Sequence, residues 1–289
     1  MRCARHGRGN GLELFRPSSL AEAADALGDG SRALAGGTEL VPLLRDGLAT
    51  ADRLVELRRV VPSGIEGTAI GAGTTLAELE ANEEIPDVLR EASRLAASPQ
   101  LRSMGTIGGN LLQATRCWSW RLHFPCRLHG GDVCHAREGQ HREHAIFAND
   151  YCASAHPSDL AAALLALDAT VETSRAAYPL AGLYRLPDEH DRTVVDLRPD
   201  EVITRIHYER PERSVYLKAM DRRRWAFALV GVAAARVGGE TRIALAGAAP
   251  IPWRLDSPDA LAEATPLPGT AFKLELARTL VGRALARLG

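Results

Sequence analysis

The chain reads Gly105-Thr106-Ile107-Gly108-Gly109-Asn110-Leu111 shortly before the segment that holds four of its five cysteines. Those four are Cys117, Cys126, Cys134 and Cys152. Glycine lets a backbone approach a phosphate closely, and N–H groups exposed in a tight turn bind anions. Clustered thiols are ligands for metal ions and iron–sulfur clusters. The juxtaposition predicts a metal cluster beside a phosphate-binding loop, an arrangement typical of electron-transfer proteins.

A second glycine-rich segment, Ala35-Gly36-Gly37-Thr38-Glu39-Leu40, lies nearer the start of the chain. Its Thr38, like Thr106 and Asn110, can donate or accept hydrogen bonds. One Gly-Gly pair by itself usually marks only a turn. With two such segments, we weigh anion binding and simple turns equally. Neither segment matches the Gly-x-Gly-x-x-Gly fingerprint of a βαβ unit, so no Rossmann domain is predicted.

The cysteine spacing is Cys-x8-Cys-x7-Cys-x17-Cys, without a Cys-x-x-Cys pair. Structural zinc sites usually contain such close pairs, so the spacing disfavours zinc without excluding it. Four thiolates from a long loop can also hold a [4Fe-4S] cluster, and unligated thiols are the third alternative. Histidines and arginines are interspersed among these cysteines. They form either a solvated polar loop or a set of groups that raise the reduction potential of a cluster. These residues are His123, His129, His135, His141, His144, Arg116, Arg121, Arg127, Arg137 and Arg142.

The composition is that of a folded globular protein, with 289 residues, 46% hydrophobic and 25% charged. A formal charge of −1 gives no reason to expect nucleic acid or an anionic membrane as a partner. The longest apolar run, residues 160–167, is too short to cross a bilayer, and the first residues lack the apolar core of a secretory signal. We therefore expect a cytoplasmic protein, in which clustered cysteines are more often metal ligands or redox groups than disulfides.

Local signals predict alternating helices and strands. Ser19, Thr75 and Ser158 stand where N-caps are expected, and Glu78 completes a capping box with Thr75. Short apolar runs predict strands around residues 54–57, 68–73, 170–173, 194–197 and 202–208, and a helix closes the chain over residues 274–288. Residues 117–152 lack periodicity and predict a long functional loop. The predicted class is α+β.

The order of these segments resembles the FAD-binding subunits of xanthine dehydrogenase-type molybdenum hydroxylases. The likeness rests on residues 35–40, 70–76, 102–111 and 156–160, and extends through residues 216–218, 221–224 and 250–254. The resemblance implies a vanillyl-alcohol-oxidase-like FAD-binding domain of two α+β subdomains, followed by a small C-terminal α+β domain.

The implied boundaries divide the chain after residue 211. Residues 1–211 would form the FAD-binding domain, with subdomains of about 1–58 and 59–211 and a cysteine-rich loop at 115–155. Residues 212–289 would form a shortened domain similar to that of CO-dehydrogenase flavoproteins.

The resemblance also implies cofactor contacts. The FAD pyrophosphate and ribose would lie against residues 35–40 and 106–110, the adenosine near Asp159, and the isoalloxazine near Lys218, with Ile203 packing on the cofactor. The predicted FAD contacts are Ala35, Gly36, Gly37, Thr38, Glu39, Leu40, Thr106, Gly108, Gly109, Asn110, Asp159, Ile203 and Lys218. The branch similar to periplasmic aldehyde oxidoreductase and 4-hydroxybenzoyl-CoA reductase carries an additional [4Fe-4S] cluster, whose ligands here would be Cys117, Cys126, Cys134 and Cys152.

The implied function is electron transfer from iron–sulfur centres to FAD and on to a small-molecule or protein acceptor. The partners would be a molybdopterin-containing large subunit and a [2Fe-2S] small subunit. Two alternatives remain open. The short passage after Arg254, and Ala248 in place of a usual glycine, also allow a free-standing flavin and iron–sulfur oxidoreductase acting on a small molecule. A zinc-stabilised binding module without redox activity is the other.

Overall fold

The structure is a computed structural model that describes residues 11–221 and 227–289. Within these ranges the chain forms three β-sheets with helices packed against them, which confirms the predicted α+β class. Cys3 lies outside the described residues, and so do residues 222–224, which contribute to the resemblance. No helix in the described ranges is both long enough and apolar enough to cross a membrane.

The first sheet has three parallel strands and carries the first glycine-rich segment. In the order β1-β3-β2, its strands are β1 (Glu13–Phe15), β2 (Ser31–Leu34) and β3 (Arg53–Glu56). Helix α1 (Leu20–Ala26) begins after Ser19, whose hydroxyl accepts a hydrogen bond from the N–H of Glu22. Helix α2 (Leu40–Arg45) follows β2. The glycine-rich segment is therefore the turn that leads from β2 into a helix.

The second sheet is antiparallel and lies beside the second glycine-rich segment. Its order is β4-β5-β8-β6-β7, with β4 (Ile65–Glu66), β5 (Ala69–Gly71), β6 (Thr170–Thr173), β7 (Ala177–Pro179) and β8 (Ile203–His207). The helices after β5 are α3 (Leu76–Ala81), α4 (Asp87–Leu95), α5 (Pro99–Arg102) and α6 (Ile107–Leu111). The predicted capping box of Thr75 and Glu78 starts α3, and Thr106 caps α6.

The cysteine-rich segment contains short helical turns inside the loop expected from its sequence. These are α7 (Trp118–Arg121), the 3₁₀ turn Arg127–His129 and α8 (His135–Glu138). Three of the four cysteines directly precede these turns, as the N-cap residues Cys117, Cys126 and Cys134. The lack of long periodicity is thus explained by turns of only three or four residues.

Helix α9 (Asp159–Ala166) is buried along its whole length and begins at the predicted Ser158 cap. It packs against α4 and against strands of the third sheet. Full burial of Leu160 and Leu164 stabilises the fold by about 1.5–3 kcal/mol for each side chain. This core fixes the second and third sheets relative to one another.

The third sheet is antiparallel and ends the chain together with a long helix. Its order is β12-β11-β10-β9, with β9 (Arg213–Ala219), β10 (Val230–Val237), β11 (Glu240–Ala246) and β12 (Trp253–Leu255). Two 3₁₀ turns, Pro258–Glu263 and Pro268–Thr270, precede helix α10 (Ala271–Leu288). Helix α10 packs on β9 and β10.

Candidate functional site

A cavity of about 540 Å³ lies between the first and second sheets. Its size falls in the range of cofactor-binding cavities, about 300–1,000 Å³. It is lined by ten of the thirteen predicted FAD contacts: Ala35, Gly36, Gly37, Thr38, Glu39, Leu40, Thr106, Gly108, Gly109 and Ile203. Residues far apart in the sequence therefore share one cavity, as the resemblance implied.

The two glycine-rich segments pack directly against each other. A Cβ atom on Gly36 would lie 1.9 Å from the carbonyl oxygen of Met104, so no side chain fits there. Gly37 has φ of +72°, a left-handed conformation that favours glycine. Gly108 packs against Ala72, where a Cβ would come within 3.0 Å of the Ala72 Cβ. These glycines bring the backbones to the cavity wall.

The two segments differ in the hydrogen-bond donors they offer. None of the backbone N–H groups of Gly36, Gly37 and Thr38 donates to another described residue. By contrast, the N–H of Gly108 donates to the Ala72 carbonyl at 3.0 Å, and that of Gly109 to the Thr106 hydroxyl at 3.2 Å. The sequence left anion binding and simple turns open for both segments, and the geometry favours backbone anion binding only at the first, because the N–H groups of Gly108 and Gly109 already have acceptors within the protein.

Charged residues that the sequence did not indicate as cofactor contacts also line the large cavity. Arg58 and Arg198 belong to the loops after β3 and before β8, and Glu78 and Glu201 line the same cavity. Which of these side chains share the cavity depends on how distant segments meet, so no local pattern indicated it. The two arginines add positive charge to a wall that already carries free N–H donors, which suits a diphosphate.

Asn110 and Asp159 line a second cavity of about 160 Å³, which shares Thr38, Glu39, Thr106 and Gly109 with the first. The side-chain oxygen of Asn110 accepts a hydrogen bond from the Ser158 hydroxyl at 2.6 Å. This bond ties the end of α6 to the start of α9. Asn110 is thereby held at the edge of the larger cavity.

Lys218 lines neither cavity, and its ammonium group forms a buried ion pair with Asp159 at 2.7 Å. The Tyr216 hydroxyl donates to the other carboxylate oxygen of Asp159. Burial, together with the charge of Asp159, raises the pKa of Tyr216 well above its usual range. The cofactor contacts of Asp159 and Lys218 stay predictions, because the carboxylate already has two partners within the protein.

The four cysteines, all free, line one small cavity of about 10 Å³. Cys126, Cys134 and Cys152 are buried and Cys117 is partly exposed. Burial raises the pKa of Cys117, with a further rise from Cys134 and Cys126, and burial raises that of Cys152 to about 12. Within the ranges described, no three His, Cys, Asp or Glu side chains are arranged to hold a metal ion. The structure thus brings the predicted ligands together without supporting a cluster.

Glu39 connects the cysteine-rich segment to the large cavity. Its carboxylate lies 2.6 Å from the guanidinium groups of both Arg116 and Arg121, and it accepts from the Ala114 N–H at 3.2 Å. All three side chains are about four-fifths buried. Arg116 directly precedes Cys117, so one carboxylate in the glycine-rich turn holds the start of the cysteine segment.

Lys273 contacts residues 143 and 144 of the cysteine-rich segment, and the sequence did not indicate this role. It is fully buried on α10, and its ammonium group donates to the carbonyls of Glu143, His144 and Gly247 at 3.4, 2.7 and 2.6 Å. Burial lowers its pKa to about 7, against a smaller opposing effect of Glu143. A lysine near the start of an amphipathic helix carries no sequence signal for this role.

Comparisons with known proteins agree with the geometry. Residues 10–208 match the family described as "FAD binding domain in molybdopterin dehydrogenase". The aldehyde oxidoreductase FAD-binding subunit PaoB of Escherichia coli K12 is 35% identical over 89% of this chain and 91% of its own length. The carbon monoxide dehydrogenase medium chain of Afipia carboxidovorans is 44% identical over 34% of this chain and 38% of its own length.

The fold is also shared with solved structures. A chain of the Cu,Mo-CO dehydrogenase crystal structure superposes with a TM-score of 0.67, at 24% identity and 96% coverage of both chains. A chain of quinoline 2-oxidoreductase from Pseudomonas putida 86 does so with a TM-score of 0.65 at 19% identity, again covering 96% of both. With the family match and the PaoB likeness, these findings identify the chain as a member of the FAD-binding subunits of molybdenum hydroxylase-type oxidoreductases.

Proposed function

We propose that this chain passes electrons between an iron–sulfur centre held by its four cysteines and FAD bound in its large cavity. The observation that carries the proposal is the position of Glu39. Its backbone belongs to the turn that lines the FAD cavity, while its carboxylate holds Arg116 beside Cys117. A single residue thus keeps the two sites side by side.

For FAD, the chain's own residues bind and orient the cofactor. The free N–H groups of Gly36, Gly37 and Thr38, with Arg58 and Arg198, offer donors and positive charge to the pyrophosphate. Apolar lining from Leu57, Leu112 and Ile203 suits the flat rings and keeps water away. Bound FAD would supply the conversion between one-electron and two-electron transfer.

For the second cofactor, Cys117, Cys126, Cys134 and Cys152 would hold a [4Fe-4S] cluster, which supplies one-electron transfer. Their type and number suit it, and all four line one cavity. Among the described residues, no three His, Cys, Asp or Glu side chains are arranged to hold one metal ion, which gives zinc no support. The cysteine sulfurs that bind a [4Fe-4S] cluster lie farther apart than those around one tetrahedral zinc ion. The cavity has a volume of only about 10 Å³, so the short turns between the cysteines would have to move apart to admit a cluster.

The proposal includes a molybdopterin-containing large subunit and a [2Fe-2S] small subunit as partners, and a small molecule or protein as electron acceptor. Support comes from relatives whose names describe them as an FAD-binding subunit or as a medium chain. The free-standing oxidoreductase is the competing candidate. Copurification of a tagged chain from its native host decides between them, because a chain recovered without large and small subunits favours independence.

The cofactors are tested by anaerobic reconstitution followed by absorption spectroscopy and by counting FAD, iron and labile sulfide. We expect one FAD and four irons per chain. Cys126→Ser and Cys134→Ser should lose the iron and keep the FAD, whereas Cys3→Ser, outside the cysteine-rich segment, should keep both. Wild-type protein that binds FAD but no iron would refute the cluster, and protein that binds neither would refute the whole proposal.

A further inference from the structure

His144 contacts one of the four cysteines. Its Nε2 lies 3.3 Å from the Cys117 sulfur, and the side chain is 6% exposed. The residue is held at its backbone, because its carbonyl accepts from Lys273 at 2.7 Å and its N–H donates to the His141 carbonyl at 3.0 Å. A metal-bound thiolate has no hydrogen to donate. The contact is therefore a hydrogen bond only when Nε2 carries the proton and donates to sulfur.

A cavity of about 30 Å³ lies beside this histidine and is also lined by Cys117. Arg116, His144 and His156 are among the residues that line it, and each has one buried nitrogen without a hydrogen-bond partner among the described residues. The three atoms are Arg116 Nε, His144 Nδ1 and His156 Nε2. His156 is 3% exposed. Buried polar atoms of this kind are normally satisfied by protein or ordered water.

The donor and acceptor roles of these atoms complement one another. The arginine Nε always carries a hydrogen. His156 Nδ1 accepts from the Ser158 N–H at 3.4 Å, which leaves the proton on Nε2 as a second donor. If His144 donates through Nε2, its Nδ1 is an acceptor. Two donors and one acceptor match a water molecule, which accepts two hydrogen bonds and donates one, and the cavity has the volume that one water needs.

We propose that His144 is a positioning residue for the cysteine site, oriented by a water bound between Arg116, His144 and His156, and that it donates a hydrogen bond to the Cys117 thiolate. This inference rests on the proposed cluster. Hydrogen bonds to ligand sulfur partly offset its negative charge, so they raise the reduction potential of the centre. Arg116 also contacts Glu39, so the chain of hydrogen bonds runs from the sulfur site to the FAD cavity.

The test measures the midpoint potential of the reconstituted cluster by EPR-monitored redox titration. His144→Phe removes the donor and should make the cluster about tenfold harder to reduce at a fixed applied potential, a shift of about 59 mV to more negative values. His144→Gln places an amide N–H near the position of Nε2 and should restore most of the potential. His156→Phe, which removes one partner of the water, should cause a smaller shift in the same direction.

His129→Phe is the matched control, because His129 lies in the same segment but is exposed and bonds to the Trp120 carbonyl. A cluster with full iron content whose potential is the same in His144→Phe and His129→Phe overturns this inference and leaves the proposed function standing. Wild-type protein without iron overturns both. If His144→Phe loses its iron, His156→Phe decides, and an unchanged potential in that variant contradicts the proposal.

Discussion

Asp159 and Lys218 form an ion pair of 2.7 Å between the first residue of α9 and a strand of the third sheet, with side chains 3% and 1% exposed. Lys218 also donates to the Leu95 carbonyl at 2.9 Å, so it joins α4, α9 and β9. The residues matched by the FAD-binding family end at 208, before β9 begins. The pair therefore connects the FAD-binding part of the chain to the sheet that follows it.

Removing one partner of this pair should destabilise the protein strongly. Lys218→Met leaves the buried Asp159 carboxylate without its counter-charge, and such changes cost about 3–5 kcal/mol. Urea unfolding measures the loss, and Asp159→Asn combined with Lys218→Met should recover part of it. Arg94→Met, which breaks an exposed pair with Glu91, is the control and should cost less than about 1 kcal/mol. Equal losses of unfolding free energy in Lys218→Met and Arg94→Met would contradict the prediction.

Gly36→Ala should weaken FAD binding, because the new Cβ would lie 1.9 Å from the Met104 carbonyl and must push the two glycine-rich segments apart. We expect the dissociation constant to rise at least about tenfold, or about 1.4 kcal/mol. Flavin fluorescence titration of the apoprotein measures it. Gly282→Ala, in α10 with nothing within 4 Å, should leave FAD binding unchanged. Unchanged affinity in Gly36→Ala would mean that the turn is not a cofactor wall.

Glu39→Gln should loosen the cysteine-rich segment. The change removes the charge shared by Arg116 and Arg121, and a hydrogen bond to a charged group contributes about 1.5–3 kcal/mol. In the apoprotein we expect the four cysteines to react faster with a thiol reagent, and the melting temperature to fall. Glu91→Gln, at an exposed ion pair, is the control. Thiol reaction rates equal to those of the control would show that Glu39 does not hold this segment.

Lys273 should make stability depend on pH. Its pKa is about 7 in the folded protein and about 10.4 when unfolded. Between these values the unfolded chain binds more protons, so the free energy of unfolding of the wild type should rise with pH relative to Lys273→Met. Below about pH 7 both states are protonated and the difference should be constant. Urea unfolding of both proteins at pH 6, 8 and 9.5 checks this, and a difference that does not change with pH contradicts it.

Local structure was largely predictable from the sequence. The Ser19, Thr75 and Ser158 caps and strand Thr170–Thr173 form as expected, since each depends on hydrogen bonds or side-chain alternation within a few residues. One short apolar run was assigned the wrong structure. The strand expected at residues 194–197 is only an isolated bridge between Tyr184 and Val195.

The functional site was predictable only in part. Gly36 and Gly37 were found because close backbone approach requires glycine, and that requirement is visible in the sequence. Arg58, Arg198 and Lys273 were missed, and His144 was named only as one of several histidines of the cysteine-rich segment, because their roles arise from contacts with distant segments. Likewise, the hydrogen bonds that occupy the Gly108 and Gly109 donors run to Ala72 and Thr106, and a Gly-Gly pair does not reveal them.

The sequence by itself determined the α+β class, the helix starts and the glycine turns, because capping, alternation and left-handed backbone are properties of neighbouring residues. Only the tertiary structure decided that four cysteines up to 35 residues apart share one cavity, and that Glu39, Lys218 and Lys273 hold their neighbourhoods in place. The reason is that a buried charge is stable only where partners from several elements surround it, and those partners meet only after the chain has folded.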